Sequence, residues 1–228
     1  MLLATEPEQL IGFDTVGGPR WDEDEHEVAR WCRLLAHHGI PADPSDLDLA
    51  PPAAAPAPAG YTLIHPGAAS AARRWPAERW AAVARGERAC GRRVLLSGSA
   101  GEAALAARIA ERAGLPPEAN RAGAADGDLA GLIALVARAG CVACGDTGVA
   151  HLATALCVPS VVLFGPTDPR RWGPPPERPW HTVLWAGTVG DPHAPAPGAG
   201  LLSIEPDDVL AALSALPGLV PRPSPPAP

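Results

Sequence analysis

From Tyr61 onward, short and nearly continuous apolar runs alternate with longer stretches of helical spacing. The runs are Tyr61–His65, Arg93–Leu96, Cys141–Cys144, Ser160–Phe164 and a last one over Val183–Trp185. Helical spacing covers Pro76–Cys90, Glu102–Ala113, Asp128–Ala139, Val149–Leu156 and a terminal Pro206–Leu216 entered at Glu205. Pro76 suits a first helical turn, and Gly114 and Gly140 suit helix ends. Unbroken apolar strands joined by helices predict an α/β domain with a parallel sheet covered on both faces. Right-handed crossovers then bring the strand C-termini to one edge, where ligands of such sheets bind. The loops predicted along that edge are His65-Pro66-Gly67, Ser97-Gly98-Ser99, Gly145-Asp146-Thr147-Gly148 and Gly165-Pro166-Thr167-Asp168. All carry glycine together with hydroxyl, acidic or imidazole groups.

Before Tyr61 the pattern is thinner. One amphipathic helix is predicted over Glu25–His38, with Val28, Trp31, Leu34 and Leu35 on its apolar face and Gly39 ending it. A single helix in about fifty residues cannot close a core by itself. The chain is therefore divided into residues 1–49, a Pro/Ala linker over 50–60, the main domain over 61–217 and a Pro-rich disordered tail over 218–228. The main domain taken alone is expected to leave an apolar face exposed.

Composition narrows the function. Of 228 residues, 47% are hydrophobic, enough for a sizeable core, and the net charge is −7. That charge argues against a nucleic-acid partner, which needs a basic footprint. The chain has no apolar run of transmembrane length. Met1–Ile11 has no basic region ahead of a long apolar stretch, as a secretory signal would, so a cytoplasmic location is expected, with peripheral contact at the inner membrane face. Five scattered cysteines fit a reduced protein better than a disulfide framework. Cys141 and Cys144 form a C-x-x-C, but side chains three apart on a strand point to opposite faces, and a metal site needs further ligands. The pair is read as structural.

Chemistry concentrates in the edge loops. The amides of Thr147, Gly148 and Val149 would open a helix and could bind phosphate oxygens, with the Thr147 hydroxyl beside them; a plain capped turn reads equally well. Asp146 could cap that helix or accept from a sugar hydroxyl. His151, one turn on from Thr147, is favoured as a buried supporting histidine. Arg73 or Arg74 could make bidentate bonds to a diphosphate, or be a solvated surface pair. Glu102, behind Ser97-Gly98-Ser99, could accept two ribose hydroxyls or simply meet the helix dipole.

In order and spacing, His65-Pro66-Gly67-Ala68, Arg73-Arg74-Trp75-Pro76, Gly145-Asp146-Thr147-Gly148 with His151, and Phe164-Gly165-Pro166-Thr167-Asp168-Pro169 resemble the C-terminal half of glycosyltransferase family 9, the ADP-heptose:lipopolysaccharide heptosyltransferases. The resemblance covers about Tyr61 to Pro174, with a weaker echo over Leu201 to Leu213. It implies a GT-B architecture, two Rossmann-like domains across a cleft. The C-terminal one would hold the nucleotide-sugar donor; the N-terminal one would hold the acceptor and the catalytic base. The implied reaction is inverting and metal-independent, an EC 2.4 transfer of a heptose-like sugar to a glycan or glycolipid acceptor. It needs no cofactor, the ADP-sugar being a substrate. The donor-binding residues carried over are Arg73, at the family's phosphate-binding lysine, Ser97, Glu102, Asp146, Thr147, Gly148 and His151. Pro7–Leu49 resemble only the close of the N-terminal domain, so the catalytic base is expected outside this chain, in a separately encoded half or lost from a shortened frame. Ala68-Ala69 replace hydroxyl residues of the heptosyltransferases proper, which leaves the sugar open. The alternative readings are a non-catalytic nucleotide-sugar-binding module or truncated remnant and, third, a nucleotide-sugar epimerase of the same architecture.

Overall fold

A computed structural model describes residues 11–52, 60–123 and 129–217. Most of the Pro/Ala linker, the start of the predicted Asp128 helix and the C-terminal tail lie outside the described residues. Two compact units are present. One comprises the described residues up to Leu47 together with Arg170–Trp172; the other runs from Asp48 to Pro169 and from Gly173 onward.

The first unit is built on helix α1 (Glu27–His37), whose N-cap is His26 with its ring accepting from the Val28 amide at 3.3 Å. Gly39 follows the helix at φ +74, as expected of a helix-ending glycine. The buried face is not the one the spacing predicts. Leu34 is buried, but Trp31 is 48% exposed and Arg30 is only 1% exposed. Arg30 is drawn in by three partners: the Glu27 carboxylate, the Glu25 carbonyl at 2.7 Å and the ring of Trp21, 4.0 Å away. A guanidinium partnered in this way through both terminal nitrogens can be buried where a bare charge could not, although its Nε has no partner among the described residues.

The second unit is a five-stranded parallel sheet of order β2-β1-β3-β4-β5. In chain order its elements are β1 (Tyr61–His65), α2 (Ala77–Ala89), β2 (Val94–Leu96), α3 (Ala103–Ala113), α4 (Leu129–Arg138), β3 (Ala139–Gly145), α5 (Gly148–Ala155) and β4 (Ser160–Leu163). Helix α6 (Pro169–Trp172) then passes into the first unit, and β5 (His181–Leu184), α7 (Ala199–Leu202) and α8 (Pro206–Ala215) complete the second. A parallel bridge between Leu96 and Asn120 extends the sheet beyond β2. With that bridge counted, the order is that of a six-stranded Rossmann sheet, 3-2-1-4-5-6.

Alternation along the strands divides the core. Ile64, Leu96, Ala143, Val161 and Leu163 join one cluster with α2, α3 and α8. Their neighbours Leu63, Leu95, Val142, Cys144 and Val162 are buried on the opposite face, the side of α4 and α5. Trp75 and Trp80 meet edge to face at 4.9 Å, and the Trp75 indole N–H donates to the Ile204 carbonyl at 3.2 Å. Arg79 ties the same segment down, donating to the Ile204 carbonyl at 2.6 Å and pairing with Glu205 at 2.9 Å. Glu205 caps α8 reciprocally with Asp208. No disulfide joins any of the five cysteines. Burial pushes the Cys141 and Cys144 thiols up, so both stay protonated and unreactive. Among the described residues no three His, Cys, Asp or Glu side chains gather as metal ligands, and no helix is long and apolar enough to cross a membrane.

Candidate functional site

The strand order locates the site. From β1 the chain crosses to β2 on one side, and later returns through β3 on the other. The C-terminal ends of β1 and β3 therefore flank a topological switch point, the place where such sheets open a ligand crevice. His65 pairs in register with Cys144, so His65-Pro66-Gly67 and Gly145-Asp146-Thr147-Gly148 emerge side by side.

On the β3 side, the turn leads straight into α5. The N-cap is Thr147, in extended conformation, and its side chain makes no capping bond. The first bond of the helix is from the Ala150 amide to the Thr147 carbonyl, 2.9 Å. The amides of Gly148 and Val149 come before it, at the positive end of the helix dipole. Gly148 is exposed, has no left-handed φ, and a Cβ added to it would meet no protein atom within 4 Å. Gly145 differs: its Cβ would sit 3.2 Å from the Arg73 carbonyl, so glycine there lets the two loops close up.

Arg73 ends the short 3-10 turn Ala71–Arg73, entered at Ser70, whose side chain accepts from the Ala72 amide. From there it reaches across the crevice. Its Nη1 lies 3.3 Å from the Asp146 carbonyl and 3.5 Å from the Asp146 carboxylate. Its Nε is buried and has no hydrogen-bond partner among the described residues. Arg74 turns the other way and donates to the Ala68 carbonyl at 2.8 Å. Asp146 is buried at 5% exposure. It is the counter-ion of Arg73, and the helix cap the sequence allowed for it is Thr147 instead.

On the β1–β2 side, Ser97 is buried and its hydroxyl bonds His65 Nδ1 at 3.0 Å. Burial holds the His65 imidazole below its usual range, against the opposing charge of Glu102. Glu102 closes the turn into α3. Its Oε2 accepts from the Ser99 amide at 2.9 Å and the Ser99 hydroxyl at 3.0 Å. The rest of its carboxylate lies against Gly67, where a Cβ would collide with Cδ and both oxygens.

Arg73, Asp146, Thr147 and Gly148 are thus brought together, with Glu102 at the neighbouring strand end. Ser97 sits beneath the edge as a partner of His65. His151 is a correction. The sequence favoured a buried histidine, but it is exposed, because α5 turns Val149, Ala150, Ala153 and Thr154 inward and leaves position 151 on the outer side. Sequence reasoning missed His65 and Gly67 as site residues. Both stand in a motif it singled out, but neither the Ser97 bond nor the closeness of Glu102 to Gly67 can be read from spacing.

Comparison with known proteins gives a consistent result. The family model described as Glycosyltransferase family 9 (heptosyltransferase) matches residues 19–190. Lipopolysaccharide heptosyltransferase 1 of Pseudomonas aeruginosa is 40% identical over 156 residues, 64% of this chain and 41% of that protein. The structure of E. coli ADP-heptose LPS heptosyltransferase II superposes with a TM-score of 0.58 at 30% identity, over 69% of this chain and 46% of that one. E. coli heptosyltransferase WaaC with ADP shares the fold, with a TM-score of 0.64 at 24% identity, over 86% and 58% of the two chains. The chain spans less than half the length of the first two of these relatives.

Proposed function

Because this chain belongs to glycosyltransferase family 9, we propose that its crevice between β1 and β3 binds the ADP part of a nucleotide-sugar donor, with a heptose or similar sugar as the group transferred. The observation that carries this reading is Gly148. Neither its backbone angles nor any protein neighbour calls for glycine, yet it opens a helix whose leading amides are offered to the crevice. Close approach of a ligand to the backbone is the remaining reason for it.

The residues divide the donor between them. Gly148 and Val149 amides, with the Thr147 hydroxyl, take phosphate oxygens. Arg73 supplies the charge, exchanging part of its contact with Asp146 for the diphosphate. Glu102, after β2, stands where the acidic residue of a dinucleotide fold accepts from ribose hydroxyls. In the transfer step these amides and Arg73 would stabilise the charge developing on the departing diphosphate. The acceptor in this reading is a glycan or glycolipid. Its hydroxyl is activated by a carboxylate of an acceptor-binding half rather than by this edge, whether that half is a separate chain or further sequence. No cofactor enters, since the nucleotide-sugar is itself the substrate.

Calorimetric titration with ADP and ADP-heptose tests the reading. Binding is expected for both, with Arg73→Ala weakening it by roughly 10- to 100-fold, the worth of a charge-assisted hydrogen-bond pair, and Thr147→Val by about 5-fold. No heat and no thermal shift with either ligand would overturn it. Binding without transfer to any acceptor, even beside a supplied acceptor half, would favour a non-catalytic donor-binding module.

A further inference from the structure

We infer that Gly67 is a specificity-determining residue of this crevice: it leaves the room in which the Glu102 carboxylate is pinned, and so lets the site distinguish ribonucleotides from deoxyribonucleotides. The inference rests on the donor reading above.

Gly67 is not glycine for the sake of its backbone, since it has no left-handed φ. It is glycine because Glu102 fills the place of its Cβ. The carboxylate is held from two sides. Oε2 is bound by the Ser99 amide and hydroxyl, and Cδ with both oxygens lies across Gly67. Behind Gly67, the turn is anchored by His65, buried and bonded to Ser97. Oε1 is thereby left as an acceptor in a fixed position at the end of β2, with two lone pairs for two vicinal hydroxyls. A carboxylate that must be ordered on binding would discriminate less well than one already fixed.

The chemistry also separates this role from a structural one. Glu102 meets Gly67 with the far end of a flexible side chain. A methyl group at position 67 can therefore expel the carboxylate by rotation about the Glu102 side chain, without moving strands. The fold survives and the acceptor is lost.

ADP and 2′-deoxy-ADP titrated into the full chain test this, beside Gly67→Ala, Glu102→Gln and the double variant Gly67→Ala/Glu102→Asp. The wild type should prefer ADP by about 10-fold or more, the worth of a hydrogen bond to a charged group. Gly67→Ala should lose that preference while still binding both nucleotides through the phosphate end, with an unliganded melting temperature lower by no more than about 5 °C, the cost of the Ser99 contacts that Glu102 gives up. Glu102→Gln should reduce the preference, and the shorter aspartate of the double variant should restore part of it by making room for the added methyl. A Gly67→Ala chain that keeps the ribose preference, or a wild type that binds both nucleotides equally, would overturn the inference and leave the donor reading standing. A Gly67→Ala chain that melts well below wild type would make Gly67 structural and likewise overturn it. A wild type that binds neither nucleotide would instead remove the donor reading on which it depends.

Discussion

At the scale of single residues, the crevice shows glycine used for three different reasons. Gly145 lets one loop backbone approach another, Gly67 makes room for a carboxylate, and a Cβ at Gly148 would meet no protein atom within 4 Å. The sequence shows three glycines in short motifs and cannot separate these reasons, because each depends on what stands opposite. Arg73 and Thr147 were legible from their type and place as residues of this edge, where the structure sets both. The pairing of Asp146 with Arg73 was not, since it joins positions 73 apart in the chain. Gly148 gives the sharpest prediction at this scale. Near a helix N-terminus alanine is the better helix former, so Gly148→Ala should leave stability unchanged or raise it by up to about 0.5–1 kcal/mol. The same methyl should weaken ADP binding by 10-fold or more, because it stands where the phosphate must approach. Thermal melts and titrations on one preparation check both halves. A variant that binds ADP normally would return Gly148 to the role of an ordinary turn residue.

At the scale of elements, the apolar runs predicted the five named strands and the longer helices around them with boundaries shifted by one or two residues, but not the Asn120 bridge, and Gly140, read as a helix end, lies inside β3. Burial on both faces is what makes a parallel strand read as an unbroken run. The short helices α6 and α7 were not anticipated; four residues carry too little periodicity. On α1 the pattern misled, because Arg30 replaced Trp31 on the inside through partners just before and at the start of the helix, Trp21, Glu25 and Glu27, that apolar spacing does not register. The β4–β5 pair carries a pH-dependent liability. His181 on β5 bonds the buried Ser160 hydroxyl of β4 through Nδ1 at 2.8 Å, and its Nε2 is buried without a partner among the described residues. Burial, aided by the Arg178 guanidinium, pushes its pKa down to about 4 from an ordinary 6.5. In this window the unfolded chain binds a proton that the folded one refuses, so stability falls as pH drops from about 6.5 towards 4. His65 acts in the same direction. Discounted for the partial exposure of His181, its share is about 2 kcal/mol. Melting temperature measured from pH 7 to pH 4.5 should fall, and His181→Gln should flatten that fall. An identical slope in the variant would assign the acid sensitivity to other groups.

At the scale of the whole molecule, charge and apolar surface are both unevenly spread. Residues 11–52 carry nine acidic side chains against three arginines, while residues 60–123 carry ten arginines against five glutamates. Helix α4 is strongly apolar, yet only Val136 and Ala137 are buried on it. Leu132, Ile133 and Leu135 are half-buried, and Leu129 is 64% exposed. This is the kind of exposed apolar face that the sequence led us to expect of the main domain. It predicts self-association through α4 at high concentration, opposed by the net charge of −7. The uneven charge offers a rival route, with the acidic residues of one copy meeting the arginines of another. Salt separates the two. Raising ionic strength from about 0.05 to 0.5 M screens attraction between opposite charges and would dissolve a charge-driven complex. It equally screens the overall repulsion that holds apolar faces apart, and would strengthen an α4-driven one. Association measured by sedimentation is therefore expected to rise with salt. Leu129→Gln should weaken it roughly 10-fold, the worth of about 1–2 kcal/mol of lost apolar contact, with little change in melting temperature because the side chain is already in water. Association that falls with salt, or that ignores Leu129→Gln, would shift the contact from α4 to the charged surfaces.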